Sequence, residues 1–192
     1  NIFNKNLLLR IFSLIIFIPL MILPIILSNY LLLIIYILFN SVILYEMQLM
    51  NVKDEKKILL TLYKFLIVIT FFLFILLNIT ELMTSIYIIE IIVCVWLFDT
   101  FSFLGGKIIG GKKLIPSISS GKTQSGLLVG IITTLLIMCT YSILIKSFSS
   151  AYFLFILVII LFAFLGDLLA SKVKRLSSIK DSGSIMPGHG GL

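Results

Sequence analysis

Apolar residues in this chain come in long runs broken only by short polar stretches, without the two-residue alternation of a half-buried strand or the narrow stripe of a soluble amphipathic helix. Six runs approach the length of about 20 residues that a helix needs to cross a bilayer: Ile11–Leu27, Tyr30–Tyr45, Ile58–Leu77, Leu82–Phe98, Leu127–Ile145 and Ala151–Ala170. The first two are short, separated only by Ser28 and Asn29, and the first contains Pro19 and Pro24. Lys5 and Arg10 ahead of it resemble the start of a signal peptide, but no small-residue cleavage site follows and further runs do, so it is read as a span. The predicted fold class is all-α, a polytopic integral membrane protein of six transmembrane helices.

Composition supports this reading. Of the 192 residues 60% are apolar and 12% charged, and the mean hydropathy is +1.24. Soluble domains hold about 45–50% apolar and about 25% charged residues, and disordered chains are richer still in charge; both classes are excluded. The net charge of +7 would suggest nucleic acid in a soluble protein. Here it reports orientation, and no nucleic-acid partner is expected.

Lys5 and Arg10 precede the first run, Lys53, Lys56, Lys57 and Lys64 follow the second, Lys107, Lys112, Lys113 and Lys122 follow the fourth, and Lys172, Lys174, Arg175 and Lys180 follow the sixth. Lys146 alone lies on the other side. Because cytoplasmic loops retain Lys and Arg, the amino terminus, both basic loops and the tail are predicted to face the cytoplasm. Lys64, inside its run, can snorkel to the interface.

No internal repeat or linker divides the chain. Residues 1–192 are read as one membrane domain: N-terminal helices to residue 98, a cytoplasmic motif loop over 99–126, two helices over 127–170 and a cytoplasmic segment over 171–192. Cys94 and Cys139 lie within apolar runs and are expected to pack as small apolar residues.

The acidic residues carry the first chemical signal, because charge near a bilayer is expensive. A helix from Leu82 to Asp99, or from Ala151 to Asp167, rises about 24–26 Å at 1.5 Å per residue, so Asp99 and Asp167 are predicted at similar depth. If their helices are neighbours, the two carboxylates suit a divalent cation with phosphate ligands. Two interfacial acids with their heads in water explain the residues equally well. Glu90, near the middle of its run, should face the protein interior, where a transport or proton-relay role is the alternative from another functional class.

The segment from Gly105 to Thr123 is rich in glycine and lysine: Gly105-Gly106-Lys107, Gly110-Gly111-Lys112-Lys113 and Gly121-Lys122-Thr123. Glycines let backbone amides approach phosphate and lysines supply charge. A Walker A loop is rejected, since its first glycine would fall at Pro116 and no strand of a soluble α/β unit precedes it. A phosphate-handling loop and a basic loop touching anionic lipid headgroups both remain open. His189 is the only histidine, so neither an ordinary zinc site nor a Ser-His-Asp hydrolase is supported.

The tail resembles the signature of the CDP-diacylglycerol synthases, or phosphatidate cytidylyltransferases: S-x-x-K-R-x-x-x-x-K-D-x-G, a short apolar stretch, then P-x-H-G-G. Ser171, Lys174, Arg175, Lys180, Asp181, Gly183, Pro187, His189, Gly190 and Gly191 match it in register. Upstream, Asp99-Thr100 with Gly106-Lys107, Ile118-Ser119 with Lys122-Thr123 and Gly126, and Gly166-Asp167 resemble further motifs of the family. Ser102 and Phe103 replace Ala and Tyr, Ser120 replaces Pro, and Ser125 replaces Glu. The family pattern continues past H-G-G with x-D-R-x-D, whereas this chain stops at Leu192, so a truncated synthase, active or catalytically dead, is expected.

The resemblance implies transfer of CMP from CTP to phosphatidate in a bacterial-type inner membrane, with the motifs on the cytoplasmic side. It implies Mg²⁺, with room for a second metal ion, held by Asp181, Asp167 and Asp99. It assigns Asp181, Lys180, Lys174, Arg175 and Asp167 to catalysis, and Ser171, Lys122, Thr123, Lys107, Pro187, His189, Gly190 and Gly191 to substrate binding. CTP, phosphatidate and the lipid bilayer are the implied partners, and a homodimer is a candidate assembly.

Overall fold

The computed structural model describes residues 19–20, 22–49, 57–79, 85–145 and 147–176. After a helical stretch at residues 22–27 come α1 (Asn29–Gln48), α2 (Lys57–Ile79), α3 (Ser85–Ile108), the strands β1 (Lys113–Ile115) and β2 (Ser119–Thr123), α4 (Gln124–Leu144) and α5 (Ser150–Leu176). The five long helices have 20 to 27 residues, about 30–40 Å at 1.5 Å per residue, and each is apolar enough to span a membrane. The predicted first span, Ile11–Leu27, falls mostly outside the described residues. The other five predicted spans each coincide with one of these helices.

Their surfaces are those of membrane helices. Phe72, Leu136 and Phe162 are each more than 60% exposed, an arrangement that water would penalise at roughly 25 cal/mol per Å² of apolar surface and that lipid tails do not. The chain is an integral membrane protein.

Two helices run further than the apolar runs suggest. α3 continues through Asp99, Ser102 and Lys107 to Ile108, and α5 continues through Ser171, Lys174 and Arg175 to Leu176. The motif loop predicted over 99–126 is therefore the last turns of one helix, a hairpin and the first turn of another. Polarity ends an apolar run without ending a helix, since backbone hydrogen bonding continues until a residue breaks it. α3 stops just before Gly110 and Gly111, whose φ angles of 67° and 99° favour glycine.

The described residues form two compact units, one comprising residues up to Ile89 together with those from Val173, the other Glu90–Lys172. In the first, α1 packs on α2 through Tyr36, stacked 5.8 Å from Phe71 and tilted against Phe74 at 4.0 Å, and Met47, Leu60, Ile67 and Val173 form its core. Ser28 caps α1, accepting a hydrogen bond from the Leu31 amide at 3.1 Å.

In the second unit, Cys94, Phe98, Met138, Ile156, Ile159 and Ile160 form the core. α4 buries Gly126, Gly130, Thr134, Met138 and Ser142, one residue per turn. This small-residue face lets backbones approach, the usual means of packing helices where lipid removes the hydrophobic driving force. The approach is tight: a Cβ on Gly126 would lie 2.5 Å from the Ser102 carbonyl oxygen, and one on Gly105 would lie 2.6 Å from Val129 Cβ.

Candidate functional site

The close approach of α3 and α4 shapes one end of the second unit. There α3, the hairpin, the start of α4 and the later turns of α5 surround a cavity of about 500 Å³. α3 contributes Asp99, Ser102, Gly106 and Lys107, the hairpin Lys113, Gly121, Lys122 and Thr123, and α5 Asp167. Phe98, Phe103, Leu114, Leu127 and Phe164 supply apolar walls. Two carboxylates and three ammonium groups thus share a cavity that is otherwise largely apolar.

The local folding explains these positions. β1 and β2 pair antiparallel, with Lys113 opposite Thr123 and Ile115 opposite Ser119, around a turn in which the Ile118 amide donates to the Ile115 carbonyl at 3.1 Å. β2 leads directly into α4, and Thr123 is both its last residue and the helix cap, its Oγ1 accepting from the Gly126 amide at 3.1 Å. The capped helix start adjoins the cavity, since Thr123 and Leu127 both line it. The helix dipole makes such a terminus favourable to anions.

Lys122 is the hub of the charge arrangement. Its Nζ forms an ion pair with an Asp167 carboxylate oxygen and lies 5.8 Å from the centre of the Phe164 ring, within cation–π reach. The Lys122 side chain is 22% exposed and that of Asp167 52%, so the lysine is held while the carboxylate stays hydrated. Lys107 Nζ lies 6.0 Å from the Phe103 ring centre.

Two carboxylates beside water suit Mg²⁺, which keeps several waters and takes one or two protein carboxylates together with phosphate oxygens. Among the described residues no group of three or more His, Cys, Asp or Glu side chains exists, so an all-protein cage is not formed there. Asp99 and Asp167 fit the role of partial ligands in a site completed by phosphate.

Of the residues singled out from the sequence, Asp99, Lys107, Lys122, Thr123 and Asp167 come together here. Ser171 lies one turn beyond Asp167 on α5, and Lys174 and Arg175 lie in that helix's last turn; none of the three lines the cavity. Lys180, Asp181, Pro187, His189, Gly190 and Gly191 lie outside the described residues. Glu90 is on α3, buried at 7% exposure, and its Oε2 has no hydrogen-bond partner among the described residues. It lies nine residues before Asp99, about 14 Å along the helix, and is not part of the cavity.

Sequence reasoning left Lys113, Ser102 and Phe164 out of the site. Lys113 sits in a basic cluster that gives no sign of which lysine turns inward. Ser102 and Gly106 could have been found from their spacing, since with Gly126 and Gly130 they make two small-residue pairs at four-residue intervals, the pattern of a close helix crossing.

Residues 4–192 match the sequence profile of the cytidylyltransferase family. The chain is similar to a phosphatidate cytidylyltransferase of Rickettsia conorii, 36% identical over 98% of this chain and 84% of that protein. It is also similar to proteins of the same name from Rickettsia bellii, 45% identical over 51% of this chain and 46% of that one, and from Staphylococcus saprophyticus, 41% identical over 55% and 42%. No solved structure matches the chain.

Proposed function

This chain belongs to the cytidylyltransferase family, and we propose from that premise that it is a phosphatidate cytidylyltransferase, converting CTP and phosphatidate to CDP-diacylglycerol and diphosphate. The observation that carries this reading is the cavity itself, where Lys107, Lys113 and Lys122 meet Asp99 and Asp167 at the start of α4. A triphosphate needs that concentration of positive charge, and a lipid substrate needs the apolar wall beside it.

In the reaction a phosphatidate phosphate oxygen attacks the α-phosphorus of CTP, a new P–O bond forms, and the bond from that phosphorus to the bridging oxygen breaks to release diphosphate. The protein contributes mainly positioning and charge neutralisation. Lys122 exchanges Asp167 for a phosphate oxygen when nucleotide arrives. This trade is cheap, because Asp167 is already half hydrated. Lys107 and Lys113 neutralise the remaining phosphate charge, and the positive end of the α4 dipole favours a phosphate oxygen beside it.

Asp99 and Asp167, with Asp181 of the signature segment, would hold Mg²⁺, which when bound supplies further neutralisation of the triphosphate and its leaving group. A second metal ion belongs to the same proposal. By the signature match, Ser171, Lys174, Arg175, Lys180 and His189 with its neighbouring glycines take part in handling the nucleotide. The excess of Lys and Arg on one side of the spans supports an orientation in a bacterial inner membrane with this end toward the cytoplasm, where CTP is available.

The test is incorporation of labelled CMP from CTP into phosphatidate by this chain in mixed micelles, with and without Mg²⁺. Product that requires both lipid and Mg²⁺ supports the proposal. Absence of product from a folded chain, both alone and with the family's x-D-R-x-D segment appended, refutes it.

A further inference from the structure

The loop between Lys107 and Lys113 has little to hold it in place. Gly110 and Gly111 adopt positive φ, and a Cβ on either would meet nothing within 4 Å, so both glycines face open space. Yet the loop leads from Lys107 on α3 to Lys113 on β1, both of which line the cavity, and the placement of Lys113 depends on where the loop sits.

Two hydrogen bonds tie the loop to the first turn of α4. The Gln124 amide donates to the Lys112 carbonyl at 3.0 Å. The Ser125 hydroxyl donates to the Gly110 carbonyl, and its oxygen lies 3.0 Å from Thr123 Oγ1, which itself accepts from the Gly126 amide. Ser125 does not line the cavity. It is the side chain that joins the helix cap to the glycine loop.

We propose that Ser125 is a positioning residue for nucleotide binding. Through Gly110 it clamps the glycine loop on the capped start of α4, and so holds Lys113, beyond the loop, where the triphosphate meets it beside Lys107 of α3. This inference rests on the reading of the cavity as the CTP site. A loop freed at Gly110 must be ordered by the nucleotide itself, so the cost falls on binding. Water can reach the open turn and replace the lost donor, so folding is little affected.

The test compares Ser125→Ala and Ser125→Thr with the unaltered chain. The loss of one such hydrogen bond, worth about 1 kcal/mol, is expected to raise KM for CTP roughly fivefold, with kcat changed less than about twofold; Ser125→Thr, which keeps the hydroxyl, should restore KM. A second readout needs no catalysis: trypsin cleavage after Lys112 or Lys113 should be several-fold faster in Ser125→Ala than in the other two, and CTP should slow it in the unaltered chain. Equal cleavage rates in Ser125→Ala and the unaltered chain would overturn the clamp, and so would a loss confined to kcat. If the folded chain transfers no CMP, both alone and with the x-D-R-x-D segment appended, the proposed function fails, while the cleavage comparison without CTP still decides the clamp.

Discussion

Lys122→Ala separates a residue that binds substrate from one that holds the fold. The lysine makes an ion pair with Asp167 and a cation–π contact with Phe164. Asp167 is 52% exposed, so removing its partner leaves a carboxylate that water can solvate, and the pair contributes about 0–1 kcal/mol. The cation–π contact adds roughly 0.5–1 kcal/mol. Against the triphosphate the same ammonium makes a charge-assisted hydrogen bond in a less hydrated setting, worth about 1.5–3 kcal/mol. At about 1.4 kcal/mol per factor of ten, kcat/KM for CTP should fall roughly 10- to 150-fold, while the melting temperature in detergent drops only a few degrees. Steady-state CMP transfer and a thermal unfolding curve on the same preparation measure both. An unchanged kcat/KM would refute the phosphate role, and a collapse of thermal stability matching the activity loss would show that Lys122 is structural.

Asp99→Asn should abolish most CMP transfer while leaving the melting temperature unchanged or raised, because it removes a carboxylate that faces Asp167 across one cavity; retained activity would take Asp99 out of the Mg²⁺ site. Gly130→Val should destabilise the protein by about 1–3 kcal/mol, read as a lowered melting temperature, since its Cβ would clash with Ser102 Oγ and lie 3.1 Å from the Phe98 carbonyl. Glu90→Gln should leave kcat and KM within about twofold, because Glu90 lies about 14 Å along α3 from Asp99 and outside the cavity. A large loss of activity there would give the intramembrane carboxyl a function that the cavity does not explain.

Much of this protein was legible without coordinates. Hydrophobic transfer is nearly additive along the chain, so runs of Ile, Leu and Phe declared the spans from Tyr30 onward, and the sparse charges between them marked where each one nears water. The signature residues declared the chemistry, because a fixed register of Lys, Arg, Asp and His is rare by chance. What the apolar runs misjudged were the helix ends at Ile108 and Leu176, since charge marks the membrane boundary and glycine geometry marks the helix boundary. Only the tertiary structure decided which polar groups share a space. Asp99 and Asp167 stand 68 positions apart in sequence, and nothing local determines that they line one cavity with Lys122 between α3, α4 and α5. That pairing follows from the close crossing at Ser102, Gly105, Gly126 and Gly130 and from a hairpin that turns Lys113 inward, and it depends on packing between segments, a non-local energy that no single stretch of sequence contains.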